Sequence, residues 1–412
     1  MNRRTALTHA PLWGFEVVDG CLQVGGCPLP DVVRRAGGTP LYAYEGALIS
    51  RRVADLRLAL PEELSLHYAV KANPMAQVVR HLAGLVDGFD VASAGEMRTV
   101  LDAGAPPTTI SFAGPGKDDT ELAAALEAGI TVNVESEAEL DRLCAIAADR
   151  GRRPRVALRI NPDFELKSSG MKMAGGAKPF GIDAELVPRL LGRLFGMDVE
   201  FLGFHIFCGS QNLSAEALIE AQTKTLELAA SLAQAAPMPV RMVNIGGGFG
   251  IPYFPGETPL DLTRIGNGLK SLWGRVRRDL PHAEIVLELG RYIVGEAGIY
   301  VCRVIDRKIS RGRIFAVTDG GLHHHLAASG NFGQVLRKNY PVAIGTKMAA
   351  PASEEVDIVG RLCTPLDRLG DKVPLPAVEV GDLIVIFQSG AYGLTASPTA
   401  FLSHPTPREI LL

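Results

Sequence analysis

In His67-Tyr68-Ala69-Val70-Lys71-Ala72-Asn73-Pro74 a lysine sits at the end of an apolar run. Residues 64–70 read as a short, mostly buried strand that Asn73-Pro74 closes. An ammonium group is costly to desolvate and is rarely interior without a partner. Such a lysine either runs its alkyl stem out and leaves the charge in water, the ordinary case, or uses its amine as a nucleophile toward a carbonyl compound.

Other chemistry-bearing residues fall at the ends of similar apolar segments. Asp90 lies in segment 89–92 and Arg159 near the end of 156–160. His205 to Ser210 close 201–207, Gly246-Gly247-Gly248 follow 242–245, and Glu288 with Arg291 closes 285–289. Each has a plain explanation taken singly: a glycine turn, a solvated charge, a packed histidine. Their joint recurrence at strand ends is harder to obtain by chance. A glycine triplet lets backbone N–H groups approach an anion, and a following helix N-terminus favours negative charge, which suits a phosphate.

The elements that must position these residues alternate regularly. Strand-like segments 64–70, 89–92, 109–112, 130–134, 156–160, 201–207, 242–245 and 285–289 are separated by amphipathic, alanine- and leucine-rich stretches such as 121–128, 137–148 and 215–235. Eight strands alternating with helices have the count and length of a (β/α)8 TIM barrel, α/β in class, whose catalytic groups sit at the C-terminal ends of the strands. Pattern alone leaves a doubly wound open sheet as the competing architecture. The glycines at 175 and 176, between the fifth and sixth strands, read as a mobile loop. Residues 1–43 read as strands and turns. After Gly290 the texture becomes β-rich, with strands at 299–305, 314–318, 356–359 and 383–387 and little helix. The expected domains are therefore 1–43, N-terminal strands belonging to the β domain; 44–290, the barrel; and 291–412, a C-terminal β-sandwich or β-barrel completed by those N-terminal strands.

Composition sets the outer bounds. The 412 residues are 47% hydrophobic and 21% charged, a globular profile. A net charge of -3 offers no electrostatic argument for nucleic acid or an anionic membrane. No segment approaches the ~20 continuous apolar residues of a membrane span, and the basic opening Met1-Asn2-Arg3-Arg4 leads into no apolar run of a signal peptide. Six scattered cysteines with no CxxC spacing suit reduced thiols in the cytoplasm and no zinc site. The run His323-His324-His325 invites a metal reading, but neighbouring residues of a strand point to opposite faces, so no metal is expected.

Taken together, the chain resembles the fold-type III pyridoxal-phosphate decarboxylases, the diaminopimelate and ornithine decarboxylase family. The resemblance covers nearly the whole chain. It is carried by Tyr68-Ala69-Val70-Lys71-Ala72-Asn73, Phe89-Asp90-Val91-Ala92-Ser93-Ala94-Gly95-Glu96, Leu158-Arg159-Ile160-Asn161-Pro162, Gly209-Ser210-Gln211, Gly246-Gly247-Gly248-Phe249, Glu288-Leu289-Gly290-Arg291, Cys363 and Ala391-Tyr392. The fold it implies is an alanine racemase-like barrel plus the β domain.

The resemblance implies roles. Lys71 would hold pyridoxal 5'-phosphate as a Schiff base, and Glu288 would keep the pyridine nitrogen protonated, as a nearby negative charge does. Ser210, Gly246, Gly247, Gly248, Gly290, Arg291 and Tyr392 would hold the phosphate end, with Asp90 and Arg159 toward the ring. Cys363 resembles the cysteine that reaches the site from a partner subunit of a homodimer. A thiol of ordinary pKa near 8.5 is protonated at neutral pH, as a donor to the product carbanion must be.

Two departures bear on substrate. Many relatives carry a ring-stacking histidine three residues before the Gly-Ser serine, where this chain has Phe207; His205 lies on the same strand face and is either a neighbour of the site or a packed histidine. After the cysteine, where ornithine and diaminopimelate decarboxylases place an acid that meets the distal amine, stands Thr364. Cys363-Thr364-Pro365-Leu366-Asp367 instead resembles relatives that decarboxylate an aminoacyl group on a carrier protein and decarboxylases of exosortase systems. The expected activity is α-decarboxylation of an amino acid, with Cys363, Thr364 and Arg291 toward the substrate, either free or carrier-linked. The alternatives are an amino-acid racemase of the same fold, which tends to set an arginine against the pyridine nitrogen, and a non-catalytic pyridoxal-phosphate binder, which lacks the β domain.

Overall fold

The computed structural model describes residues 8–12, 14–167, 170–334 and 337–412. Two compact units emerge, one of residues 52–250 and 260–290 and one of residues 1–51, 251–259 and 291–412.

The first unit is a closed barrel. Its strands are β1 (Ser65–Ala69), β2 (Gly88–Val91), β3 (Ile110–Phe112), β4 (Thr131–Val134), β5 (Arg155–Asn161), β6 (Glu200–Ile206), β7 (Met242–Gly247) and β8 (Glu284–Leu289). Every neighbouring pair is parallel, and β8 pairs back to β1, with Val286 opposite Ser65 and Leu289 opposite Tyr68. That last pairing closes the sheet and removes the doubly wound alternative. The strands are buried on both faces almost throughout, which is why they appear in sequence as continuous apolar runs and not as alternation.

Helices α1 (Ala76–Leu82), α2 (Ala94–Asp102), α3 (Asp119–Ala128), α4 (Glu137–Asp149), α5 (Val187–Leu194), α6 (Ala215–Ala233) and α7 (Leu262–Asp279) follow successive strands. Side-chain caps fix where several begin. Ser93 Oγ accepts from Glu96 N at 3.2 Å while Glu96 returns to Ala92 N at 2.8 Å. Ser136 Oγ accepts from Glu139 N at 3.1 Å while Glu139 returns to Glu135 N at 2.8 Å. These reciprocal caps set the geometry of the β2 and β4 exits.

The second unit is β-rich. Strands run in the order Val342–Ile344, Leu383–Ile386, Gly298–Ser310, Arg313–Thr318, Glu354–Val359, Arg368–Leu375. The N-terminal strand Leu41–Tyr44 pairs antiparallel with Gly298–Ser310 and parallel with Arg408–Leu411, so the start of the chain completes this sheet. Leu22, Leu29, Val33, Leu41, Ile299, Val301, Val385 and Phe387 form one core. Residues 1–43 are not all strands and turns: Leu29–Ala36 is a helix. Pro30 in its first turn pre-sets φ, Asp31 favours the same end, and Gly37 closes the other at φ 82°.

Candidate active site

The C-terminal rim of the barrel gathers an amine, a carboxylate and an imidazole. Lys71 lies in the single 3-10 turn that follows β1, not in the strand itself, and its Nζ stands 3.6 Å from Glu288 Oε1 on β8. The other oxygen, Oε2, accepts from His205 Nε2 on β6 at 3.1 Å. Glu288 is 4% exposed. Burial alone would raise its carboxyl, but the Lys71 ammonium, the hydrogen bond and charge of His205, and Arg159 outweigh it and hold the group at about 2. It is therefore ionised throughout the working pH range. His205, left open between two readings, is buried and hydrogen-bonds Glu288. Phe207 offers its ring to Lys71, with Nζ 5.3 Å from the centroid.

A second polar tier backs this one. Asp90 on β2 accepts from Ser111 Oγ and from Asn244 Nδ2 at 3.3 Å, and its other oxygen is 3.3 Å from His67 Nδ1. Burial would lower His67, yet Asp90 beside it outweighs that and raises it. Arg159 donates to Glu135 Oε1 at 2.7 Å and its guanidinium lies 5.2 Å from the Phe180 ring. Glu135, at the exit of β4, also accepts from Gly114 N at 2.6 Å and Gly181 N at 3.1 Å. Burial opposes its charge, but Arg159 and Lys117 hold the carboxyl below its usual range. The tier is a run of buried charges, each with a partner, as burial in low dielectric requires. The loop after β5 joins it, with Gly175 N donating to Asn161 Oδ1 at 3.2 Å and Asn161 Nδ2 donating to Gly176 O at 2.9 Å.

The glycine run leaves β7 beside Gly209, where a Cβ on Gly248 would stand 2.6 Å from Gly209 O. Gly248 takes φ +84°, and a Cβ on Gly247 would stand 2.0 Å from Glu288 O, so side chains are excluded and the backbone is bared. Asn244 Oδ1 accepts from Gly246 N at 2.8 Å, and Asn212 N donates to Gly248 O at 2.9 Å. Gly290 needs its missing side chain because a Cβ there would lie 2.8 Å from Ala72 Cβ, next to Lys71.

The β-rich unit holds the other assigned residues. Arg291 donates from Nη1 to Tyr253 OH at 2.7 Å and lies 4.5 Å from the Tyr392 ring. Its Nε is buried with no hydrogen-bond partner among the described residues, leaving a cationic donor to spare. Tyr392 takes φ 52°, a left-handed backbone rare for an aromatic residue. Cys363 is exposed and free, not a core thiol. Thr364 Oγ1 accepts from Leu366 N at 3.3 Å. Asp367, the acid of that loop, is 3% exposed, and its two oxygens accept from Leu322 N at 2.6 Å and Leu362 N at 2.8 Å.

His323-His324-His325 lies in turns and not in a strand, which corrects the premise of the sequence argument about this triplet. His324 donates from Nε2 to Pro405 O at 3.0 Å, with Nδ1 3.2 Å from Tyr300 OH. His325 Nε2 is 2.9 Å from Ser389 Oγ, and its Nδ1 accepts from Ala328 N at 3.3 Å. Among the described residues no three His, Cys, Asp or Glu side chains converge as metal ligands.

His67, Lys117, Glu135, Ser111 and Tyr253 escaped the sequence reading. Glu135 was legible by the rule that found Lys71, a polar residue at the end of an apolar strand. His67 was hidden by its apolar neighbours, and Tyr253 by the length of chain that separates it from Arg291.

A barrel that carries a lysine, an ionised buried carboxylate and a bare glycine run on one rim, with a β-rich unit built from both chain ends, defines the alanine racemase-like class of pyridoxal-phosphate enzymes. Comparison with known proteins makes this specific. Residues 46–295 match the pyridoxal-dependent decarboxylase, pyridoxal binding domain family. An L-glutamyl-(BtrI acyl-carrier protein) decarboxylase of Niallia circulans is 36% identical over 90% of this chain and 88% of its own length. The diaminopimelate decarboxylase of Aquifex aeolicus is 33% identical over 97% and 92%. A 2-((L-alanin-3-ylcarbamoyl)methyl)-2-hydroxybutanedioate decarboxylase of Staphylococcus aureus is 31% identical over 90% and 93%. Among solved structures, diaminopimelate decarboxylase from M. jannaschii in complex with L-lysine superposes with a TM-score of 0.88 at 27% identity, covering 97% of this chain and 93% of that one. The chain belongs to the pyridoxal-dependent decarboxylase family and is a pyridoxal-phosphate-dependent amino-acid decarboxylase. The racemase and non-catalytic readings fall away. No helix among the described residues is long and apolar enough to cross a membrane.

Proposed function

We propose that this decarboxylase acts on an α-amino acid whose distal end is a carboxylate or a carrier-linked acyl group, and not a free ammonium. The observation that carries the reading is the loop around Cys363. Thr364 stands where an acid would meet a distal amine, and Asp367 cannot replace it because both its oxygens are committed to backbone N–H groups. Arg361, two residues before Cys363, is exposed and adds positive charge to the same loop. Two of the three relatives named above act, by name, on a carrier-linked glutamyl group and on a substituted hydroxybutanedioate.

The residues of the barrel rim fit the cofactor: an amine within reach of a buried carboxylate suits an aldehyde-bearing pyridine, and the bared glycine backbone suits its phosphate. When bound, pyridoxal phosphate supplies the electron sink that the Cα–carboxylate bond empties into. Lys71 is assigned the covalent hold and, once freed, proton transfer. Glu288, a buried carboxylate lowered by its cationic neighbours, is assigned as the counter-charge that would keep the pyridine nitrogen protonated, and His205 orients it through its second oxygen. Phe207 is assigned to flank the Lys71 amine with its ring, 5.3 Å from Nζ. Ser210 and Gly246–Gly248 are assigned to the phosphate, as are Gly290, Arg291 and Tyr392 on the family pattern. Asp90 and Arg159 are assigned to the ring side, held in place by His67 and Glu135. Cys363 is assigned as proton donor to Cα after carbon dioxide leaves.

The domain reading accompanying this is a barrel at 44–290 that binds cofactor, with 1–43 and 291–412 forming the β domain. We further propose a homodimer in which Cys363 serves the partner's site; the exposure of its thiol in a single chain supports this. Free cysteines fit a cytoplasmic setting.

Carbon dioxide release should be measured over glutamate, a glutamyl carrier protein, diaminopimelate, ornithine and lysine. Carboxylated or carrier-linked compounds are expected to lead; strong turnover of ornithine would overturn the reading of Thr364. Mixing two inactive variants, Lys71→Ala and Cys363→Ala, should restore part of the activity if sites are shared, and none if each chain completes its own.

A further inference from the structure

Gln222, on α6, is 4% exposed, and neither its Oε1 nor its Nε2 has a hydrogen-bond partner among the described residues. A buried amide orphaned at both ends is rare in folded proteins and signals an unseen polar partner. The side chain lines a cavity of about 10 Å³ together with Cys208, Gly209, Thr225 and Gly247. That is room for the centre of one water molecule; Leu166, Leu218, Ala221 and Ile245 make the rest of the wall apolar, so a water there would be held by Gln222, Thr225 and the glycine backbone. Burial pushes the Cys208 thiol up to about 11, so that neighbour is a neutral thiol. Thr225 Oγ1, 3.8 Å from its sulfur, has a hydroxyl to offer a water as well.

Two of the cavity walls belong to the backbone assigned above to the cofactor's phosphate. Gly209 precedes Ser210, and Gly247 is the centre of the glycine run. Glycines have no side chains with which to anchor themselves. Gly246 is tied by Asn244, Gly248 by Asn212, and Gly247 pairs with Glu288 of β8 while also lining the Gln222 cavity.

We propose that Gln222 holds a buried water behind the glycine run, and that the two together brace the Gly209–Ser210 and Gly246–Gly248 backbones in the form that receives phosphate. Gln222 is thus a positioning residue for the cofactor's anionic end. The proposal rests on the reading of this loop as the phosphate cradle. It predicts a defect confined to that end of the cofactor, which a general packing role does not.

The test compares pyridoxal phosphate with pyridoxal, which lacks the phosphate but still engages Lys71, in absorbance titrations of wild type and Gln222→Met. The variant should bind pyridoxal phosphate about tenfold more weakly, the loss of roughly one hydrogen bond, and pyridoxal unchanged. The melting temperature of the cofactor-free protein controls for folding. Should Gln222→Met not fold, Gln222→Glu sets a carboxyl behind the cradle: affinity for pyridoxal phosphate, and not for pyridoxal, should then fall as pH rises. A crystal structure should show ordered water density at Gln222. Equal losses for both ligands, or a dry cavity, would overturn the proposal. If the wild type binds pyridoxal but gains nothing from the phosphate, the cradle reading fails instead.

Discussion

In the barrel, His205 and His67 each sit against a carboxylate, Glu288 and Asp90, at 3.1 and 3.3 Å. In the β-rich unit, His323, His324 and His325 are as deeply buried, yet among the described residues none forms an ion pair. Burial, the first cause in each, pushes them down to about 3, 4 and 3. His324 and His325 are fixed as neutral rings by a donor on one nitrogen and an acceptor on the other. The barrel thus sets its buried histidines against carboxylates. The β-rich unit uses the same residue type as a neutral wedge among Tyr42, Tyr300 and Tyr340. What differs is the neighbour: Asp90 beside His67 offsets the desolvation of a charged ring and raises it, and a tyrosine does not.

Removing charge from the barrel rim should break this contrast most severely. Lys71→Ala should abolish covalent cofactor and lower carbon dioxide release by more than about a thousandfold, read by absorbance, borohydride fixation and activity. Retained borohydride-fixable cofactor would refute the lysine assignment. Glu288→Gln keeps the shape and removes the charge; turnover should drop on the order of a hundredfold while the fold persists, checked by circular dichroism. Because Glu288 titrates near 2 in the folded protein, below the ordinary carboxylate range, its stabilisation is complete above about pH 5 and is lost only as pH falls toward 2. Activity profiles between pH 5 and 8 should accordingly show no limb from this group.

The β-rich unit should respond to acid sooner. Its three histidines titrate below the ordinary 6.5, so the unfolded chain takes up protons that the folded unit refuses. Their stabilisation is full above about pH 7 and is lost as pH falls toward 4, by on the order of 1.4 kcal/mol per pH unit for each histidine. His67 has the opposite sign: its raised value gives stability below the ordinary 6.5 that is lost as pH rises through the folded value. Hydrogen exchange at pH 7.5 and 5.5 should therefore loosen peptides around 318–330 and 383–392 before the barrel strands. Uniform loosening would erase the distinction between the units.

Smaller effects should sharpen it. Asp367→Ala frees Leu322 N and Leu362 N, and should cost about 1–3 kcal/mol in urea unfolding. Thr364→Asp should leave stability unchanged and raise kcat/KM for substrates with a distal ammonium by about tenfold relative to carboxylated ones.

How far such features were legible in the sequence depends on whether neighbours in space were neighbours in the chain. Lys71, the glycine run and Glu288 declared themselves because each directly follows or ends an apolar strand, and parallel strands carry all such ends to one rim. His205 could not be assigned from sequence, since the pairing with Glu288 bridges β6 and β8. The histidine triplet was misplaced for a related reason. A turn and a strand share the same three letters, and the bonds from His324 N and His325 N back to Gly321 O show that a turn is present.

By itself, the sequence determined the period of the elements, their α/β alternation and the chemical types at the strand ends, because strand burial, caps and glycine requirements act over a few residues. The closure into a barrel came from the pairing of β8 with β1. Only the tertiary structure decided which buried groups are charged. Lys71, His205 and Glu288 share one site although more than two hundred residues separate the first from the last, and an ionisation state is set by distances that the closing of the barrel creates.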